Sequence, residues 1–135
     1  MKEAYCSFET SKLLKKKGFD EECTHYYTDE LIEYTNGVYS RNSKNCDRCT
    51  SPTHQMACAW LRENYDIFIQ VRRDNQYYEG YAVEPVTEHD KKRGHKPEYF
   101  AIVLDALSVT KTYTRSESYE DAVDAAIKYC LENLI

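Results

Sequence analysis

The sequence lacks any long run of apolar residues. Its apolar stretches are much shorter than the roughly 18 residues that a membrane-spanning helix needs. Residues 2–6, which read KEAYC, contain no apolar segment of the kind found in a signal peptide. We therefore expect a cytoplasmic protein that has no membrane partner.

Glycine is also scarce, with only 4 residues, and this disfavours a glycine-rich loop that cradles phosphate. The patterns G-x-S-x-G, G-x-G-x-x-G, H-E-x-x-H and the P-loop are all missing. The chain therefore shows no recognisable enzyme signature. We expect a non-catalytic protein without a cofactor, and we keep an uncharacterised enzyme as the third alternative.

Basic residues are outnumbered, because 18 Lys and Arg stand against 23 Asp and Glu for a formal charge of −5. A protein that coats nucleic acid without sequence preference needs the opposite balance, since Lys and Arg neutralise phosphates. Phe and Trp number only 4 and 1, whereas Tyr reaches 13. Tyrosine combines an apolar ring with a polar tip, so this excess fits either a contact surface or a core of half-buried rings.

The six cysteines are Cys6, Cys23, Cys46, Cys49, Cys58 and Cys130. Without a secretory signal they are interpreted as free thiols in a reducing compartment. Zinc is the alternative, because Cys23, His25, Cys46 and Cys49 supply four suitable ligands. However, the C-x-H spacing is tighter than that of a usual zinc half-site. Free thiols with no metal are the prediction.

Apolar spacing predicts three helices, near residues 7–17, 52–64 and 118–134. Ser51 is predicted to cap the second helix, with Pro52 at its first position. Ser118 is predicted to cap the third, whose polar residues Asp124, Lys128 and Glu132 are placed opposite its apolar face. The first helix is predicted to stop at Gly18.

The remaining segments predict antiparallel strands. Residues 31–35 and 38–42 flank Asn36-Gly37, a strong hairpin signal, and residues 66–73 and 76–84 are predicted to pair through 74–75. The apolar run 99–104 is predicted to be a central strand, followed by a strand at 107–114. Clustered strands with short turns indicate an α+β fold. We predict a single domain over 1–135, with four to six strands in one sheet and three helices mainly on one face. The predicted core includes Trp60, Ile69, Ile102, Ile127 and Leu131.

Two stretches resemble a family of short uncharacterised proteins encoded by phages and mobile elements of gut Bacteroides-type bacteria. The first is SPTHQ at 51–55, WLRE at 60–63 and DI at 66–67, and the second is SYEDA at 118–122, AAI at 125–127 and LENLI at 131–135. CSFE at 6–9, GFDE at 18–21 and Cys23 also fit. The resemblance implies a phage-type accessory protein in a bacterial cytoplasm, and it implies no site residues.

The start of the second helix is the predicted ligand site. Backbone N–H groups at a helix start favour an anion, and the neighbouring side chains add donors, positive charge and stacking rings. The candidate residues are Arg41, Arg48, Ser51, Thr53, His54, Tyr77 and Tyr81. An ordinary capped helix with solvated neighbours is the alternative.

We therefore hypothesise a non-catalytic, phage-type accessory protein that acts by binding. It would sequester a phosphorylated, nucleotide-like signal or block a host defence protein. The alternative is an adaptor that contacts protein or nucleic acid through the basic loop at 91–96. A homo-oligomer is also compatible with the Tyr-rich composition.

Overall fold

The computed structural model describes residues 4–35, 39–42, 48–74, 76–79, 82–85 and 98–135, with side chains described outside 73–98. The helices are α1 (Phe8–Lys16), α2 (His54–Tyr65) and α3 (Tyr119–Asn133). The strands are β1 (His25–Thr28), β2 (Leu31–Tyr34), β3 (Cys49–Thr50), β4 (Phe68–Asp74), β5 (Gln76–Glu79), β6 (Ala82–Pro85), β7 (Glu98–Leu104) and β8 (Thr110–Ser116). The α+β class is confirmed.

Each helix begins at a hydroxyl residue whose side chain accepts a hydrogen bond from a backbone N–H in the first turn. These residues are Ser7 for α1, Thr53 for α2 and Ser118 for α3. The prediction of Ser118 is confirmed. The prediction that Ser51 caps the second helix is wrong, because its hydroxyl is buried and donates instead to the Cys6 carbonyl oxygen. After α1, Gly18 has φ +96, a conformation that glycine adopts without strain.

The prediction of one continuous sheet is wrong. The described strands form a sheet of order β2-β1-β3, a sheet of order β4-β7-β8, and the β5-β6 hairpin, with every pairing antiparallel. The central position of β7 is confirmed. It pairs along its length with both neighbours, and Ala101 and Val103 are fully buried.

The hairpin partners differ from those predicted. Asn36 and Gly37 lie outside the described residues, but β2 pairs with the upstream strand β1 through Asp29-Glu30. Asp29 takes φ 54, so this turn meets the positive-φ requirement without glycine. Residues 76–84 do not form one strand that pairs with β4. They contain β5 and β6, which pair with each other, while β4 pairs with β7.

Among the described residues, one cluster of buried apolar side chains includes members of α1, α2, α3 and β7. Helix α3 packs on β4, β7 and β8, and α1 and α2 both contact α3. Trp60, Ile127 and Leu131 are buried as predicted. Ile69 and Ile102 are only partly buried. In β7, Ile102 lies between the buried residues Ala101 and Val103, and its side chain is therefore on the opposite face of the sheet.

In the part of the chain that the structure describes, none of the helices has the length and apolar character needed to span a membrane.

Candidate functional site

The predicted ligand groups at the start of α2 are engaged inside the fold. The Thr53 hydroxyl accepts from Met56 N at 3.2 Å, and His54 N donates to the Ala4 carbonyl oxygen at 3.0 Å. Ser51 is fully buried, and its hydroxyl lies 3.1 Å from the Cys6 carbonyl oxygen. The Ser51 hydroxyl and the His54 N–H are thus occupied donors that the phosphate hypothesis assigned to a ligand, whereas the Thr53 hydroxyl acts here as an acceptor.

The predicted basic and aromatic groups lie elsewhere or outside the described side chains. Arg41 donates to the Asp20 carbonyl oxygen at 2.9 Å and forms an ion pair with Glu22 at 3.1 Å. The guanidinium of Arg48 stands over the Tyr26 ring, 4.3 Å from its centre. The side chain of Tyr77 and the whole of Tyr81 fall in the undescribed part. The phosphate site stays a prediction.

The alternative zinc set is not brought together by the described side chains. The His25 ring lies between the Tyr5 and Tyr34 rings, with ring centres 4.0 and 5.3 Å away. Its Nδ1 is 2.9 Å from the Thr24 hydroxyl. Cys23 and Cys49 are buried thiols, and Cys46 lies outside the described residues.

A different set of reactive side chains meets where α1 and α2 contact α3. Cys6, His54 and Asp124 each place a potential ligand atom within 4.8 Å of the others. Cys6 directly precedes the α1 cap, His54 is the first residue of α2, and Asp124 lies in α3. Residues from three separate helix regions thus converge on one buried point.

The Asp124 carboxylate accepts four hydrogen bonds at this junction. Oδ1 accepts from Ser7 N at 2.9 Å and from His54 Nε2 at 3.3 Å. Oδ2 accepts from the hydroxyls of Ser7 at 2.8 Å and Thr10 at 2.9 Å. Both oxygens are therefore saturated, and α1, α2 and α3 are joined through one side chain.

The protonation states follow from these contacts. Burial raises the pKa of Asp124, but the hydrogen bonds from His54, Ser7 and Thr10 outweigh it and hold the pKa below its ordinary value. Asp124 is thus ionised at neutral pH and requires the proton on His54 Nε2. The other ring nitrogen, Nδ1, is buried and has no hydrogen-bond partner among the described residues.

Cys6 does not have the properties of a catalytic nucleophile. Cys6 is fully buried, and its carbonyl oxygen accepts hydrogen bonds from the hydroxyls of Ser11, Tyr27 and Ser51. Burial, with the negative charge of Asp124, raises the pKa of the thiol well above its ordinary value. A nucleophilic Cys needs a lowered pKa and access for its substrate, and Cys6 has neither.

Sequence reasoning missed this cluster. Helical spacing placed Asp124 opposite the apolar face of α3, where a carboxylate is normally solvated. That side of α3 instead packs against α1. The exposed ion pair between Lys128 of α3 and Glu9 of α1, at 2.8 Å, joins the same two helices. The three residues lie 48 and 70 positions apart along the chain, so no short motif could reveal them.

The surface of the β2-β1-β3 sheet presents a second feature. All four residues of the edge strand β2 are exposed. Its side chains include Leu31, which is 71% exposed, Tyr34 at 55% and Ile32 at 44%. Exposed aliphatic and aromatic groups on an edge strand are unusual unless another chain covers them.

Comparison with protein-family models, with curated proteins and with solved structures found no match to this chain.

The buried thiols lead to a prediction about alkylation. Burial raises the pKa of Cys23 and Cys58 to about 11 and that of Cys130 to about 12. A rise from the ordinary value of 9.0 to about 11 lowers the thiolate fraction at pH 8 by about 100-fold. We expect iodoacetamide to modify these three sites slowly in the native protein, while all six cysteines react in denaturant. Peptide mapping by mass spectrometry measures this, and rapid native labelling of Cys130 would contradict it.

Proposed function

We propose that this chain is a non-catalytic binding protein, and that it contacts a partner protein through β2. The observation that carries the proposal is that all four residues of this strand are exposed, with apolar side chains among them, at an edge that no other described strand covers. Within the described residues β2 pairs on one side only, with β1. An extended segment of a partner could add to such an edge by main-chain hydrogen bonds.

The chemistry of β2 indicates what such a partner presents. Leu31, Ile32 and Tyr34 offer apolar contact area, and Tyr is frequent at the centres of protein interfaces. The exposed acidic residues Asp29, Glu30 and Glu33 lie in or beside the strand. A complementary partner segment is therefore extended, partly apolar and basic.

The resemblance to phage-encoded accessory proteins supplies the biological context of the proposal. In that context the partner is a host defence protein that the chain blocks in a bacterial cytoplasm. Sequestration of a nucleotide-like signal has less support, because the Ser51 hydroxyl and the His54 N–H already donate inside the fold. Calorimetric titration with cyclic di- and trinucleotides tests that alternative, and Arg48→Ala should weaken any such binding.

A double variant, Leu31→Ser with Tyr34→Ser, tests the protein-binding proposal. The tagged wild-type protein is used to capture partners from host cells, and the captured protein is then purified and titrated directly. We expect the double variant to bind at least tenfold more weakly, because each lost contact at an interface centre costs about 1 kcal/mol or more. Its melting temperature should fall by only a few degrees, because both side chains are exposed and the main packing loss is the contact between the Tyr34 and His25 rings.

Leu107→Ser is the matched control, because Leu107 is 83% exposed and precedes β8 in the other three-stranded sheet. It should bind the partner with wild-type affinity. Equal binding by the double variant, or the recovery of no partner by the wild type, would contradict the proposal. If a native mass spectrum shows only a dimer, and the double variant disrupts it, the partner is a second copy of this chain and not a host protein.

A further inference from the structure

The cluster at the helix junction contains three donor types that bind transition metals: a sulfur, an imidazole nitrogen and a carboxylate oxygen. The donors belong to Cys6, His54 and Asp124. Zinc accepts all three types in one tetrahedral site, whereas calcium and magnesium prefer oxygen ligands. We propose that Cys6, His54 and Asp124 bind one zinc ion between α1, α2 and α3.

The existing distances are close to those of a tetrahedral site. Zinc bonds of about 2.0–2.3 Å place two ligand atoms roughly 3.3–3.8 Å apart. His54 Nε2 and Asp124 Oδ1 are 3.3 Å apart, so this edge of the tetrahedron is already formed. The three donor atoms lie within 4.8 Å of one another, and a tetrahedral site separates S from N or O by about 3.5 Å, so Cys6 Sγ needs to approach by about 1.3 Å at most.

The hydrogen bonds around Asp124 provide the supporting shell that such a site needs. Zinc replaces the proton that His54 Nε2 donates to Oδ1. The donors from Ser7 and Thr10 remain and fix the orientation of the carboxylate. On the other side of the imidazole, Nδ1 has no hydrogen-bond partner among the described residues. It can take the ring proton, and it then needs an acceptor such as a water molecule.

The charges balance when the ion binds. Zinc displaces the thiol proton of Cys6, and the resulting thiolate and the Asp124 carboxylate together neutralise the charge of Zn²⁺. A buried carboxylate and a buried cation are each costly alone, and coordination removes both costs. Three protein ligands leave one tetrahedral position for a water molecule or another ligand.

Cobalt substitution tests the site directly. Reduced, metal-free full-length protein is titrated with Co²⁺, which gives a thiolate-to-cobalt charge-transfer band and the visible bands of a tetrahedral complex. We expect one Co²⁺ per chain, and we expect zinc to displace it. Cys6→Ser should abolish the charge-transfer band, and Asp124→Asn should weaken binding at least tenfold.

Cys58→Ser and Cys49→Ser are the matched controls. Cys58 is a half-buried thiol of α2, and Cys49 belongs to the alternative ligand set with Cys23, His25 and Cys46. Both variants should keep the band. Loss of the band in Cys49→Ser, with its retention in Cys6→Ser, would overturn the proposal.

A measurement on the unmodified protein covers the case in which Cys6→Ser fails to fold. X-ray absorption spectroscopy of the zinc-loaded wild type should show one sulfur and two or three nitrogen or oxygen ligands per zinc. Three sulfurs would assign the metal to Cys23, Cys46 and Cys49 instead. Absence of stoichiometric zinc at micromolar concentrations would also overturn the proposal.

Discussion

Asp124→Ala is expected to lower the free energy of unfolding by about 3–5 kcal/mol, because it removes the acceptor of four hydrogen bonds at a junction of three helices. The Ser7 N–H, the Thr10 hydroxyl and His54 Nε2 would lose the acceptor that the fold gives them, while the Ser7 hydroxyl keeps the Thr10 oxygen as an acceptor. Urea unfolding in the presence of a chelator measures the loss without any contribution from bound metal.

Asp121→Ala is the control for this variant. Asp121 lies in the first turn of the same helix but is exposed, so its removal should cost less than about 1 kcal/mol.

The difference in unfolding free energy between wild type and Asp124→Ala should depend on pH. Since the folded-state pKa of Asp124 is lowered, its contribution is complete above the ordinary value of 3.8 and is lost as pH falls through the depressed value. A difference that stays constant down to pH 2 would contradict the role of the charge.

Phe19→Ala is expected to cost about 3–5 kcal/mol of unfolding free energy, because it leaves a cavity in a well-packed core. Phe19 is 1% exposed, and its ring meets Trp60 edge-on with ring centres 5.6 Å apart. Its backbone is fixed on both sides, since its N–H donates to the Leu14 carbonyl oxygen and its own carbonyl accepts from the Asn42 side chain. The surroundings therefore have little freedom to collapse into the space.

Phe68→Ala removes the same atoms from a ring that is 38% exposed at the start of β4. It should cost less than half as much unfolding free energy as Phe19→Ala, because part of that ring already contacts water. Thermal unfolding of both variants, followed by the near-ultraviolet signal of the single Trp, provides the comparison. Equal losses of unfolding free energy would show that the buried Phe19 stabilises the fold no more than the partly exposed Phe68.

Features governed by nearby residues were predictable from the sequence. The three helices and the Ser118 cap follow from apolar spacing and from one side chain, and the end of α1 follows from Gly18. The pairing of strands was harder to predict, because more than one local turn sequence is compatible with a hairpin. Asn36-Gly37 is the stronger hairpin signal, yet Asp29-Glu30 joins the strands that pair in the described structure.

The site depends on contacts that sequence patterns do not encode. Periodicity separates apolar from polar faces, but it does not say which polar residue of α3 meets another helix. Asp124 is partly buried because the start of α1 contacts it, and the Ser7–Asp124 contact spans 117 positions. Cys6 and His54 likewise become neighbours only through the assembled fold. The sequence pointed to His54 as a candidate ligand residue, but for an anion site, and it gave no sign of Cys6 or Asp124 beside it.

The 117-residue separation between Ser7 and Asp124 also has a consequence for biosynthesis. During translation α1 leaves the ribosome long before α3, so its polar first turn must wait for its acceptor until more than a hundred further residues have been added. Contacts of such long range slow folding, because the loop that joins them must close first. Until then Ser7 and Thr10 lack the carboxylate that accepts their hydrogen bonds, and a nascent chain released before Asp124 has emerged could not form this junction.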